Sequence, residues 1–161
     1  MVTISTLDPV AIEAVRAVHA GRVADLQQLL DANPRLATAR LGDDDPDGMN
    51  RTLLHVATDW PGFFPNVAET IRVLVAAGAD VNARFHGPHQ ETPLHWAASL
   101  DDLDALHAPI DLGADLNPGG GVIAGGTPLG DATAFGCWKA ARALVARGPA
   151  PRAVARRDSP Q

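Results

Sequence analysis

Thr92-Pro93-Leu94-His95-Trp96-Ala97-Ala98, followed further along by Gly113-Ala114-Asp115-Leu116-Asn117, is the stretch from which the fold is read. A threonine hydroxyl caps a helix, and proline suits the first helical position because its missing N–H would go unpaired there anyway. Leu94, Ala97 and Ala98 recur at helical spacing and give one narrow apolar face. Alanines on that face let another helix approach closely. The whole reads as a capped helix, a second apolar stretch and a glycine stop.

The same unit recurs on both sides. Thr52-Leu53-Leu54-His55-Val56-Ala57 leads to Gly78-Ala79-Asp80-Val81-Asn82, and Thr127-Pro128-Leu129-Gly130-Asp131-Ala132 leads to Arg147-Gly148. Thr92 lies 40 residues after Thr52 and 35 before Thr127, a period at which one supersecondary unit stacks on the next. These residues resemble the ankyrin repeat, whose Thr-Pro-Leu-His, x-Ala and Gly-Ala-Asp-Val-Asn signature is nearly spelled out here. Two clear copies and one degraded copy cover about residues 47 to 150, and a weaker match extends to the N-terminus.

The resemblance implies an all-α solenoid of about four helix-turn-helix repeats with irregular hairpin fingers. The repeats fall at about 8–37, 47–82, 87–117 and 122–150, in a single domain over 1–150, with a flexible tail at 151–161. Such arrays serve many partners, so the fold does not fix the function.

Composition agrees with a small globular domain: of 161 residues, 46% are hydrophobic and 20% charged. Thirteen basic against nineteen acidic residues give a net charge of −6, which lacks the electrostatic footprint of a nucleic-acid binder. Cys137 is the only cysteine, which excludes an intrachain disulfide or a thiolate metal cluster and fits a reducing, cytoplasmic compartment. No basic segment leads into a long apolar run, and no stretch reaches membrane-spanning length, so no membrane partner is expected.

In the opening repeat, Asp8-Pro9 starts a helix whose Ile12, Val15 and Val18 recur at helical spacing until Gly21. A second helix follows from about Ala24 to Ala32, with Leu26, Leu29 and Leu30 facing inward. The ending Asn33-Pro34-Arg35-Leu36 departs from the repeat pattern, as suits a terminal cap. Asp43, Asp44, Asp45, Pro46 and Asp47 form a polar, turn-rich insertion that reads as a solvated loop.

The second repeat carries Asp59-Trp60-Pro61-Gly62-Phe63-Phe64-Pro65-Asn66 between its helices. Asn66 with Glu69 resembles a capping box opening a helix over 67–77. Trp60, Phe63 and Phe64 therefore sit in a loop, where they either fold over a neighbouring repeat or present an apolar patch to a ligand or partner.

In the next finger Gly87-Pro88 supplies the turn, and Phe85 and His89 are reasonable contact residues. His86 and His89 find only Glu91 as a further ligand, so no metal is expected. Pro109 should bend its helix near His107. The glycines of 118–126 match no phosphate loop and read as a flexible finger with Val122 and Ile123 for apolar contact. Trp138, Leu144 and Val145 are expected to supply core to the last repeat, before a frayed tail bearing Arg152, Arg156 and Arg157.

The residues offer little chemistry of an enzymatic kind. His55 and Asp59, one helical turn apart, are the best acid-base pair, and Cys137 at a helix start reads as an inert thiol whose pKa the dipole could lower. The resemblance implies that His55 and His95 tie loops together and that binding uses hairpin fingertips and the ends of the first helices. Carried over, those ends are His19, Asp59 with Trp60, Ser99 with Leu100, and Ala134 with Phe135. Trp96 packs between repeats or walls the groove.

The reading is a non-enzymatic module that engages a protein partner through an aromatic-lined concave groove, without cofactor or metal. Asp59, His89 and Gln90 form its polar rim. Alternatively, the Trp60–Pro65 insertion, Trp96 and the fingers close a small-molecule pocket with His/Asp acid-base groups, making the chain a ligand-binding protein or unusual enzyme.

Overall fold

The computed structural model describes residues 2–42, 45 and 47–148. The chain is mostly helical among these residues, with eight helices and one small sheet. The helices come in pairs: α1 (Pro9–Ala20) with α2 (Val23–Ala32), α3 (Leu53–Ala57) with α4 (Val67–Ala76), α5 (Pro93–Ala98) with α6 (Leu103–Asp111), and α7 (Pro128–Ala134) with α8 (Trp138–Arg147). Each first helix also touches the next first helix, α1 to α3 to α5 to α7. The second helices form a parallel row, α2 to α4 to α6 to α8.

Local chemistry starts and stops these helices as the residues require. The Asp8 carboxylate accepts the Val10 N–H at 2.8 Å, Thr127 Oγ1 accepts the Gly130 N–H at 3.3 Å, and Gly21 turns left-handed at φ 64° to end α1. Asn66 departs from expectation. Its backbone is left-handed rather than extended, so its side chain caps nothing, and Nδ2 donates to the Gly21 carbonyl at 3.0 Å.

One apolar core runs through all four pairs. Ala11, Ala14, Ala17 and Val18 of α1 are buried in it, whereas Ile12 and Val15 lie only half-buried. The small residues win the interior because α3 packs closely against α1. At the far end Ala140, Ala141 and Leu144 are buried, but Trp138 and Val145 stand exposed and supply no core. Helix α6 continues through Pro109, which is itself buried.

The all-helical expectation needs one correction. Strands β1 (Thr3–Ile4), β2 (Arg40–Gly42) and β3 (Asn50–Arg51) form a sheet in that order, β1 parallel to β2 and β2 antiparallel to β3. Arg40 anchors it: the guanidinium is buried and donates to Asn50 Oδ1 at 3.0 Å and to the Arg84 carbonyl at 2.7 Å. Asn50 in turn bridges to His86, so successive fingers are linked edge to edge.

The glycine-rich finger is held at several points rather than loose. Gly120 and Gly121 donate to the carbonyls of Gly125 and Gly126, each at 2.9 Å, and the Gln90 N–H reaches the Gly120 carbonyl at 3.0 Å. A Cβ at Gly120, whose φ is +97°, would come within 2.7 Å of the Gln90 carbonyl oxygen. Glycine is required there by close approach.

Asp43, Asp44 and Pro46 of the acidic insertion lie outside the described residues. So do the repeat ending beyond Gly148 and the tail at 151–161 with Arg152, Arg156 and Arg157.

Candidate functional site

The threonine motif determines what its histidines can do. His55 Nδ1 sits 3.0 Å from Thr52 Oγ1, and its Nε2 lies 3.0 Å from the Glu91 carbonyl oxygen in the next finger. His95 repeats the arrangement, with Nδ1 3.0 Å from the Thr92 nitrogen and Nε2 3.0 Å from the Gly126 carbonyl oxygen. A carbonyl only accepts, so each Nε2 carries the proton and each Nδ1 is the acceptor. Burial pushes the pKa of His95 down and that of His55 down to about 4. Both act as neutral struts between fingers.

The acid-base pairing of His55 with Asp59 does not form. Asp59 instead makes an ion pair with Arg51, and its other oxygen accepts the Trp60 N–H at 2.8 Å. Cys137 is half-buried, and burial together with Asp101 raises its thiol pKa rather than lowering it.

The aromatic insertion is a strap across three helix pairs. Backward, Asn66 holds Gly21, and Phe64 stacks on His19 with ring centres 4.6 Å apart. Forward, the Phe63 N–H donates to Asp102 Oδ2 at 2.7 Å while Asp102 Oδ1 caps α6 at the Ala105 N–H. Asp102→Ala, which removes both acceptors at once, should lower stability by about 2 kcal/mol in urea unfolding, with Asp102→Asn intermediate.

Within the strap the two expected roles divide among the rings. Phe64 packs against the core, whereas Trp60 is 78% and Phe63 67% exposed. Trp96 both packs and lines: its ring lies 4.9 Å from His55 and 5.4 Å from Phe85, and one face borders an open hollow.

That hollow, of about 220 Å³, lies at the ends of α3, α5 and α7. Trp60, Trp96, Leu100, Val122 and Phe135 wall it, with Thr58, Asp59 and Ser99 as polar neighbours. It thus brings together Asp59, Trp60, Trp96, Ser99, Leu100 and Phe135 of the expected binding residues. His19 and Phe64 pair elsewhere on the strap, and Phe63 is not part of the hollow's lining. Phe85 and Gln90 border a separate, larger hollow of about 470 Å³ between fingertips with Met49, His86 and Pro88, and His89 is exposed on its finger.

The two carboxylates of the hollow besides Asp59 went unrecognised as site residues. Glu91 and Asp131 complete the lining, at 6% and 1% exposure, and Glu91 Oε2 and Asp131 Oδ1 have no hydrogen-bond partner. Burial raises the Asp131 carboxyl pKa, against the pull of His95, the Ile123 backbone N–H and His89. A signal for Asp131 was present in the register: it stands four residues after Thr127, where the other copies have Val56 and Trp96. A carboxylate at an apolar position of a repeat is unusual.

Among the described residues no group of three or more His, Cys, Asp or Glu side chains is arranged to hold a metal, and no helix is long and apolar enough to cross a membrane.

No family model matches the chain. Palmitoyltransferase AKR1 of Candida albicans (strain SC5314 / ATCC MYA-2876), an ankyrin-repeat protein, is 38% identical over 77 residues, covering 45% of this chain. The chain spans 8% of that relative's length. This partial similarity points to ankyrin-type repeats over the matched part of the chain.

Proposed function

We propose that this chain is a non-enzymatic ankyrin-repeat module of four units in one domain, acting in the reducing cytoplasm, that grips a protein partner in the hollow walled by Trp60, Trp96, Leu100 and Phe135. The four helix pairs touching in two rows and the threonine-histidine struts support the repeat reading. The single cysteine supports the compartment.

The observation that carries the binding role is exposure. Trp60 at 78% and Phe135 at 53% stand open on one concavity, where large rings lose water only when something covers them. The Trp60 backbone N–H donates to Asp59, whose other oxygen pairs with Arg51, so the backbone that carries the Trp60 ring is tied down before contact.

Trp60→Ala, Leu100→Ala and Phe135→Ala should each cut partner capture in a pulldown about tenfold or more while leaving thermal unfolding within a few degrees of wild type. Unchanged capture by all three would remove the reading. The same variants in a metabolite thermal-shift screen test the small-molecule alternative, since a ligand of the folded state raises its melting temperature.

A further inference from the structure

The polar floor of the hollow is unlike its walls. Glu91 and Asp131 are both more than nine-tenths buried, and one oxygen of each lacks any donor. A buried acceptor without a donor is costly, and an ionised one more so. Of the nearby basic groups His89 lies exposed on its finger, and the others are committed elsewhere. Arg51 pairs with Asp59, Arg84 Nη1 serves the carbonyls of Gln90 and Gly119, and burial keeps His95 neutral.

Comparison between repeats sharpens the point. Arg51 and Asp59 stand one residue before and seven after Thr52, where they form an ion pair. The same positions around Thr92 hold Glu91 and Ser99, so here a carboxylate replaces the cation and no opposite charge is provided.

We propose that this floor receives one basic side chain of a polypeptide partner, an arginine or lysine, whose N–H groups bond to Asp131 and Glu91 while Trp60, Trp96 and Phe135 surround its stem and charge. The inference rests on reading the hollow as the partner site. Aromatic faces attract cations, and the carboxylates supply both the opposite charge and the acceptors. A quaternary ammonium would satisfy the rings but has no N–H for the two vacant oxygens. The hollow of about 220 Å³ is also below the roughly 300–1,000 Å³ of drug-sized sites, the scale of one side chain.

The test is titration of the ¹⁵N-labelled protein with acetyl-Gly-Gly-X-Gly-Gly-amide peptides, X being arginine, lysine, trimethyllysine or leucine, and with agmatine. The indole N–H signals of Trp60 and Trp96 are followed. Arginine and lysine peptides should shift both signals, with binding at least about tenfold weaker in Asp131→Asn and Glu91→Gln. Asp131→Asn should melt no lower than wild type, since it removes a buried carboxylate one oxygen of which has no donor in the free protein.

Failure takes distinguishable forms. A leucine peptide that binds as well as the arginine and lysine peptides, with the two carboxylate variants unaffected, overturns the basic side chain but keeps the apolar partner groove. Trimethyllysine binding as tightly as lysine overturns the role of the N–H donors. Agmatine binding as tightly as the peptides makes the ligand a free small cation, and no shift with any probe to about 10 mM overturns the proposal outright.

Discussion

Lowering the pH from 7.5 to 4 should remove about 3 kcal/mol of folding stability through His55 alone. The cause is the tautomer. Nε2 gives its proton to the Glu91 carbonyl and Nδ1 accepts from Thr52, so a second proton could enter only by breaking the Thr52 contact and burying a charge. The pKa accordingly falls from 6.5 to about 4 in the folded chain. Between those values the unfolded chain binds more protons. Stability is therefore fully present above pH 6.5 and is lost as pH falls towards 4. His95 shifts in the same direction and adds to the loss, while Asp131, whose pKa is raised, offsets part of it.

Urea unfolding at stepped pH checks this in wild type and in His55→Ala. The variant should begin about 3 kcal/mol lower at pH 7.5, because it leaves a cavity and strands the Glu91 carbonyl, and should then lose less on acidification. His55→Asn, which retains an acceptor near Thr52 but does not titrate, provides the reference if alanine is too disruptive. Parallel pH curves for wild type and both variants would count decisively against a neutral strut.

Gly21→Ala should cost about 3 kcal/mol, the second large effect. Two penalties combine at this position. The backbone is left-handed at φ 64°, and a Cβ would overlap the Pro65 carbonyl oxygen and come within 2.7 Å of its carbon. Those atoms belong to backbone, so no rotamer change relieves the contact. The substitution should also push the strap away from His19 and loosen the Asn66 tie. Asn66→Ala, which removes only that hydrogen bond, should cost about 1 kcal/mol. Equal urea midpoints for Gly21→Ala and wild type would mean that the strap is not seated on this corner.

The strap shows where sequence reading reaches its limit. Asn66-Val67-Ala68-Glu69 has the spacing of a capping box, but Asn66 is left-handed rather than extended, so its oxygen caps nothing while its Nδ2 is drawn to the Gly21 carbonyl 45 residues earlier. The same kind of competition separated Asp59 from His55. One helical turn made them neighbours, yet Arg51 took the carboxylate, and the Thr52 hydroxyl and the Glu91 carbonyl took the imidazole.

Apolar periodicity likewise could not rank residues on one face. Ile12 and Val15 have the right spacing, but the close approach of α3 selected Ala11, Ala14 and Ala17 for the interior. At the open end of the rows nothing follows α8 among the described residues, so Trp138 and Val145 have no neighbour to bury them.

By itself the sequence determined the helix pairs, the threonine and Asp8 caps, the recurring threonine-histidine struts and the concentration of rings in one insertion. These depend on contacts within a few residues, or on a motif whose repetition declares its own partner. Tertiary structure alone decided which rings were covered and which stood open, that Thr3–Ile4 would pair with Arg40–Leu41, and that Glu91 and Asp131 would meet in one hollow. Their burial depends on what elements distant in sequence bring against them, and a carboxylate's solvation is set by that surrounding rather than by its own neighbours along the chain.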